Sequence, residues 1–168
     1  MISTTMPFIA NAPGGQPTGQ TQPDTIITND GFFPDIDLAH MRDAIRLDGT
    51  VTDTRLTAAT VDAIIFVNDQ VKELKTAATA AGHTSMAAIP AAQVNRQSVL
   101  ISHYLRAVYC TAKADLIERY KDYDTTATSL DDKKLVGFLA NGPDEERRNA
   151  AWAISKLMGR HHVTVELI

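Results

Sequence analysis

The sequence predicts a mainly α protein: a helical bundle of long antiparallel helices, with a disordered or extended N-terminal arm and a short C-terminal β-strand tail. Three observations carry that prediction. Apolar residues recur at three- and four-residue spacings from Leu38 onward. Glycine and proline interrupt this pattern at few points, where helices should start or stop. The first 31 residues belong to a different regime: Pro7, Pro13, Pro17 and Pro23 fall there, and no lysine or arginine precedes Arg42. Such a segment buries too little apolar surface to offset its ordering entropy. Residues 1–31 are therefore expected to be a flexible arm, 32–160 the helical domain and 161–168 a strand-like tail.

The first helix is expected just after Phe32-Phe33-Pro34. Proline is excluded from a helix interior, while Asp35 and Asp37 offer carboxylates to the unpaired amides of a first turn. Leu38, Met41, Ala44 and Ile45 would form its apolar face. A second helix should begin at the N-cap Thr52. Its stripe runs Leu56, Ala63, Val67, Val71, Leu74, Ala78 and Ala81, nearly eight turns, and closes at Gly82. Ile65 and Phe66 lie off this stripe. Residues 84–89 have room for one helical turn before Pro90.

The third helix is expected from about Arg96 to Tyr123. Ile101, Leu105, Val108, Ala112, Leu116 and Tyr120 form its main stripe. Leu100, Tyr104, Tyr109 and Ile117 lie on other sides, the mark of a central, buried helix. After a loop at 122–126, a shorter helix near Leu130–Ala140 is followed by Asn141-Gly142. Pro143 restarts a helix with Asp144, Glu145 and Glu146 in its first turn. Ala151, Ile154, Leu157 and Met158 would be buried, with Trp152 flanking and Gly159 as the stop. The last residues alternate: Val163, Val165 and Leu167 on one side, Thr164 and Glu166 on the other.

Composition narrows the function. The apolar fraction of 44% rests on 23 alanines, with only 6% aromatics. At about 25 cal/mol per Å² of buried apolar surface, alanine contributes little, which favours an oligomer in which neighbours bury more. The net charge of −4 comes without a basic stripe, unlike an ordinary nucleic-acid binder. One cysteine, Cys110, excludes an internal disulfide framework and fits a reducing cytoplasm. No apolar run approaches the roughly 20 residues of a membrane span.

Candidate chemistry is sparse. Asp35-x-Asp37 reads as helix capping or as an acidic metal pair, and no second carboxylate cluster supports the metal. Adjacent His161 and His162 in a strand would point to opposite faces. Cys110 lies seven residues from His103, roughly 10 Å along a helix, too far for a nucleophile and its base. No phosphate loop or nucleophile elbow occurs. No enzyme and no cofactor are expected. Asp62, Asp69 and Glu73, spaced seven and four apart, share a helix face away from the main stripe and read either as a solvated flank or as a channel wall.

The strings FFPDIDLAHMRDAIRLDGTVTDTRL, ISHYLRAVYCTAKADLIERYKDYD, DDKK at Asp131–Lys134 and RRNAAWAISKLM occur in this order. From about Phe32 to the C-terminus the chain resembles the head-completion (L-type) protein family of temperate contractile-tailed bacteriophages. The resemblance implies a structural virion protein of the head–tail neck, present in the host cytoplasm during assembly and without a membrane. It implies a homo-oligomeric ring, a dodecamer by portal symmetry, that binds the portal protein after DNA packaging and seals the head. A downstream neck or tail-completion protein would be received on its surface, and packaged DNA would pass through without sequence specificity. In that setting His162, Val163, Thr164, Val165, Glu166, Leu167 and Ile168 become the candidate portal-binding tail. Ile65 and Phe66 become the candidate subunit interface, and Asp62, Asp69 and Glu73 the candidate channel lining. The alternative is a DNA-binding packaging accessory, a small terminase-like ring protein, against which the missing basic patch argues.

Overall fold

The computed structural model describes residues 25–47, 51–124 and 142–160. It opens with an element absent from the sequence reading. Strands β1 (Ile26–Ile27) and β2 (Ile36–Asp37) pair antiparallel, Ile26 opposite Asp37 and Ile27 opposite Ile36. The intervening loop is tied by its own side chains. Asp30 Oδ1 accepts from the Phe32 and Phe33 amides at 3.0 and 3.1 Å, and Asp35 Oδ1 accepts from the Asn29 amide at 2.8 Å. Asp and Asn turns of this kind fold a loop without regular structure. Both phenylalanines turn inward and are buried. Residues 25–31, expected as the end of the arm, therefore belong to the folded unit.

That loop is latched to the helices by three uncharged side chains. Asn29 Nδ2 donates to Tyr104 Oη at 2.8 Å, and the Tyr104 hydroxyl donates to Asn68 Oδ1 at 2.6 Å. Asn68 Nδ2 closes the ring by donating to Asn29 Oδ1 at 2.9 Å. Burial raises the Tyr104 hydroxyl well above the ordinary phenol range, so it stays protonated and keeps its donor role. Phe33 stacks on the Tyr104 ring with centroids 5.0 Å apart, and Phe32 meets Phe33 edge-on at 5.1 Å. Lys75 Nζ reaches Asp30 Oδ2 at 2.7 Å. Burial alone would raise the Asp30 carboxyl, but Lys75 and the two amides outweigh it and hold it below the usual range. The stability this carboxylate contributes is present above the unfolded pKa and lost as the pH falls through the depressed folded one.

Helix α1 (Leu38–Ala44) starts as capping physics requires, with one correction. Asp37 is the N-cap, accepting from the amides of Ala39 and His40, whereas Asp35 serves the preceding loop. Leu38, Met41 and Ile45 are buried, and Ala44 is exposed. The long second helix is two: α2 (Asp53–Gln70), capped by Thr52, and α3 (Lys72–Ala80), joined at the fully buried Val71. Neither Pro nor Gly marks that joint. Of the predicted stripe, Leu56, Ala63, Val67, Val71 and Ala78 are buried and Leu74 is half-buried, but Ala81 is exposed. A 3₁₀ turn at Met86–Ala88 fills the short segment before Pro90.

Three helices end in the same way. The amides of Arg46 and Leu47, of Gly82 and His83, and of Gly159 and Arg160 bond back to carbonyls of the final turn, with the first residue of each pair at positive φ. Glycine is the usual residue there; Arg46, at φ 55°, is not. Arg46→Gly should relieve left-handed strain that exceeds the added entropy of an unfolded glycine. The expected net gain is about 0.5–1 kcal/mol, read as a rise of roughly 2 °C in Tm by thermal denaturation.

A tight hairpin, β3 (Gln93–Val94) with β4 (Gln97–Ser98), turns through Asn95 and Arg96, both at positive φ. It displaces the start of the next helix from the predicted Arg96 to Val99. Helix α4 (Val99–Asp124) is the centre of the fold, as its all-round apolar content predicts. Helix α5 (Pro143–Leu157) begins with Pro143 in its first turn. Its buried side is Ala150, Ala153 and Leu157 with Ile154 half-buried; Ala151, predicted inside, is exposed. The predicted helix at 130–140 and strand-like tail at 161–168 lie outside the described residues.

α4 is antiparallel to both neighbours. Asn68 and Asp62 of α2 meet Tyr104 and Arg119, and Asn149 and Glu146 of α5 meet Arg106 and Lys113. Tyr104 and Arg106 point about 200° apart on a helix that turns 100° per residue. α2 and α5 thus flank α4 at that level, whereas further along α4 they reach adjacent residues, Arg147 of α5 on Glu118 and Asp62 of α2 on Arg119.

Candidate assembly surfaces

The outer edge formed by α2 carries two sets of candidate residues at once. Ile65 is 63% exposed and Phe66 49%, with Val61 also in solvent one turn before Ile65. Asp62 and Asp69 are exposed on the same side of α2, while Glu73, also exposed, stands on α3 beyond the break at Val71. Phe66 follows Asp62 by four residues and precedes Asp69 by three, so it stands within the acidic row. The pattern results from amphipathic spacing: Leu56, Ala59, Thr60, Ala63, Ile64 and Val67 occupy the core side, so Val61, Ile65 and Asp69 are turned outward. Asp62 is shared with Arg119 at 3.4 Å and Asp69 with Lys72 at 3.1 Å, both exposed pairs of little energetic weight. Ile65 and Phe66, read from the sequence as a subunit contact, thus share one face of α2 with Asp62 and Asp69 of the expected channel wall, and the third residue of that wall, Glu73, falls on the next helix.

A second exposed face, on α5, was missed as a surface. On α5 the buried side takes Pro143, Glu146, Ala150, Ala153 and Leu157, which turns Arg148, Trp152 and Lys156 outward at four-residue spacing. Trp152 is 43% exposed, with the Arg148 guanidinium over its ring at 5.3 Å from the centroid. Of the bases around it, Arg148 pairs with Glu145 at 4.0 Å and Arg147 with Glu118 and Asp144, so this face is apolar at its centre and mixed in charge at its rim. The signal was legible: an aromatic flanked by bases, off the core stripe.

Between α1, α4 and the start of α5 lies an open cleft of about 390 Å³, lined by His40, Arg106, Tyr109, Cys110, Lys113 and Glu146 among others. Lys113 Nζ contacts Glu146 Oε1 at 2.7 Å, with side chains only 13% and 7% exposed. His40 Nδ1 and Tyr109 Oη are 2.8 Å apart. Burial, followed by the Glu146 carboxylate, pushes the Cys110 thiol up to about 12. A thiol so held is protonated at neutral pH and a poor nucleophile. Among the described residues no group of three His, Cys, Asp or Glu side chains could hold a metal ion, and no helix is long and apolar enough to cross a membrane. The candidate portal-binding residues His162–Ile168, and His161 beside them, lie outside the described residues.

Exposed apolar side chains on α2 and α5, Val61, Ile65, Phe66 and Trp152, are suited to contacts with other proteins. Residues 27–168 match the model of the phage head completion protein (GPL) family, and the chain belongs to that family. It is similar to the head completion/stabilization protein of Escherichia phage P2, with 34% identity over 153 residues, 91% of this chain and 87% of that protein. No solved structure matches it. Membership carries a structural role in completing the phage head and association with the virion, and the family is not one of enzymes.

Proposed function

We propose that this protein acts in the neck of the virion: it binds the portal of a DNA-filled head as a ring, helps to seal the genome inside, and forms the surface that receives the tail. The observation that carries this reading is the family match across residues 27–168. The fold is compatible with it, because a layer latched through Asn29, Asn68 and Tyr104 offers two rigid edges for neighbours. Portal contact is assigned to His162–Ile168, whose alternating apolar and polar residues suit addition to the edge of a partner's sheet. Of the two roles read for the outer α2 face, subunit contact is favoured over channel lining. A wall along a duplex gains nothing from exposed Val61, Ile65 and Phe66.

A phage without this protein should package DNA yet accumulate heads that lose their genome and fail to join tails. A normal yield of infectious particles would overturn the reading. Removal of Val163–Ile168 should leave a soluble, helical protein that no longer pulls down portal rings. Undiminished capture would move the portal contact elsewhere in the chain.

A further inference from the structure

We propose that the cleft between α1, α4 and α5 is a docking site for a segment of another virion protein that presents one carboxylate beside an aliphatic side chain, the carboxylate meeting Arg106 and the aliphatic group lying against Ile45 and Leu105. This rests on association with the virion and not on the ring or portal assignments above. The cleft, about 390 Å³ and open to solvent, lies at the small end of the roughly 300–1,000 Å³ span of ligand pockets. It has room for a few side chains, not for a globular face. Its charge is uneven. Glu146 is the sole acid among the lining residues, and Lys113 holds it at 2.7 Å. Arg106 is left over: it is exposed, donates to Asn149 Oδ1 at 3.3 Å, and forms no ion pair among the described residues.

A second observation points the same way. Lys156 follows Asn149 by seven residues, on the same side of α5, and it too has no ion pair among the described residues. His103 registers both cations. Burial first, then Arg106 and Lys156, hold its imidazole below the usual range, and no carboxylate offsets them there. One surplus guanidinium in the cleft suits one carboxylate, met by a two-bond fork. A phosphate dianion would bring a second negative charge beside buried Glu146. A duplex presents a row of phosphates, which a recess for a few side chains cannot follow. Ala44, Ile45 and Leu105 supply an apolar side that a bare anion would leave wet.

The test uses the full chain and nuclear magnetic resonance of the Ile45, Leu105 and Cys110 backbone amides. The probes are the acetylated, amidated tripeptide leucyl-glutamyl-leucine, its glutaminyl counterpart, inorganic phosphate and a duplex oligonucleotide. The glutamyl peptide should shift these amides saturably at millimolar concentration, and the glutaminyl peptide should need roughly tenfold more. Arg106→Gln should abolish the response with helical circular dichroism and Tm unchanged, because Arg106 is exposed. In the phage, Arg106→Glu should lower the infectious yield by about 100-fold and Arg106→Lys far less. No saturable shift, or an equal response to both peptides, would overturn the proposal. Phosphate or duplex acting as well as the glutamyl peptide would make this a plain anion or nucleic-acid site, and shifts on concentrating the chain alone would make a second copy the occupant; each overturns the assignment to another protein. A normal yield from Arg106→Glu would overturn use of the cleft in the virion. If that variant does not fold, the Arg106→Gln titration decides. None of these results touches the portal reading, which the removal of Val163–Ile168 tests separately.

Discussion

Phe33→Ala should cost about 3–5 kcal/mol of folding stability, the range for emptying a buried aromatic site. Phe33 is almost fully buried, stacks on Tyr104 and meets Phe32 edge-on, so truncation removes two ring contacts and opens a void where loop, α2 and α4 converge. The loop cannot collapse to fill it. Its path is fixed by Asp30 on the Phe32 and Phe33 amides and by the Met86 amide on the Phe32 carbonyl. In a domain whose total stability is of the order of 10 kcal/mol, the loss should appear as a fall of roughly 10 °C in Tm. Differential scanning calorimetry of the purified variant reads it directly. A change below about 1 kcal/mol by denaturant titration would mean that the loop is not part of the cooperative unit.

Glu146→Ala should be nearly as costly, about 3 kcal/mol, because it leaves the Lys113 ammonium without its buried counter-charge. The double variant Lys113→Met with Glu146→Leu should recover most of that loss, since a buried pair gains little over apolar side chains of similar volume. Chemical denaturation of the three variants tests the pattern, and a double variant as unstable as Glu146→Ala would contradict it. A second readout lies one turn away. The Glu146 carboxylate helps to hold the Cys110 thiol high, so in Glu146→Ala the thiol should titrate lower and react faster with a disulfide reagent at pH 8, in the folded protein.

Glu146 also shows where the sequence stopped being readable. Pro143, Asp144, Glu145 and Glu146 were read alike, as a helix start with acids in its first turn, and for Asp144 and Glu145 that suffices. The partner of Glu146 stands on α4, and no local rule connects the two. Periodicity placed α4 at the centre, Thr52 and Asp37 at their caps and Gly82 and Gly159 at their stops, because those features depend on spacing and local hydrogen bonds. The β1–β2 ribbon escaped because its strands are two residues long and its order comes from Asn29 reaching Tyr104 and Asn68. The β3–β4 hairpin escaped because its left-handed turn residues are Asn95 and Arg96, without the glycine that signals such turns. For the surface, spacing was enough to put Ile65 and Phe66 outside. It could not show that Asp62 is held by Arg119 or that Arg147 reaches Glu118, since that depends on which sides of α4 its neighbours occupy.

The ring of Asn29, Asn68 and Tyr104 has a consequence for how the molecule answers to its solvent. None of the three carries charge near neutral pH, so the latch feels neither screening by dissolved ions nor the titration of a carboxylate or imidazole. The exposed ion pairs have the opposite character: Asp30 with Lys75, Asp62 with Arg119 and Asp69 with Lys72 all weaken as dissolved ions screen them. Raising the ionic strength should therefore loosen these surface ties while the ring of three keeps the loop on α2 and α4. A loop seated this way keeps its position across media of different salt content, held by hydrogen bonds when its ionic tie to Lys75 is screened.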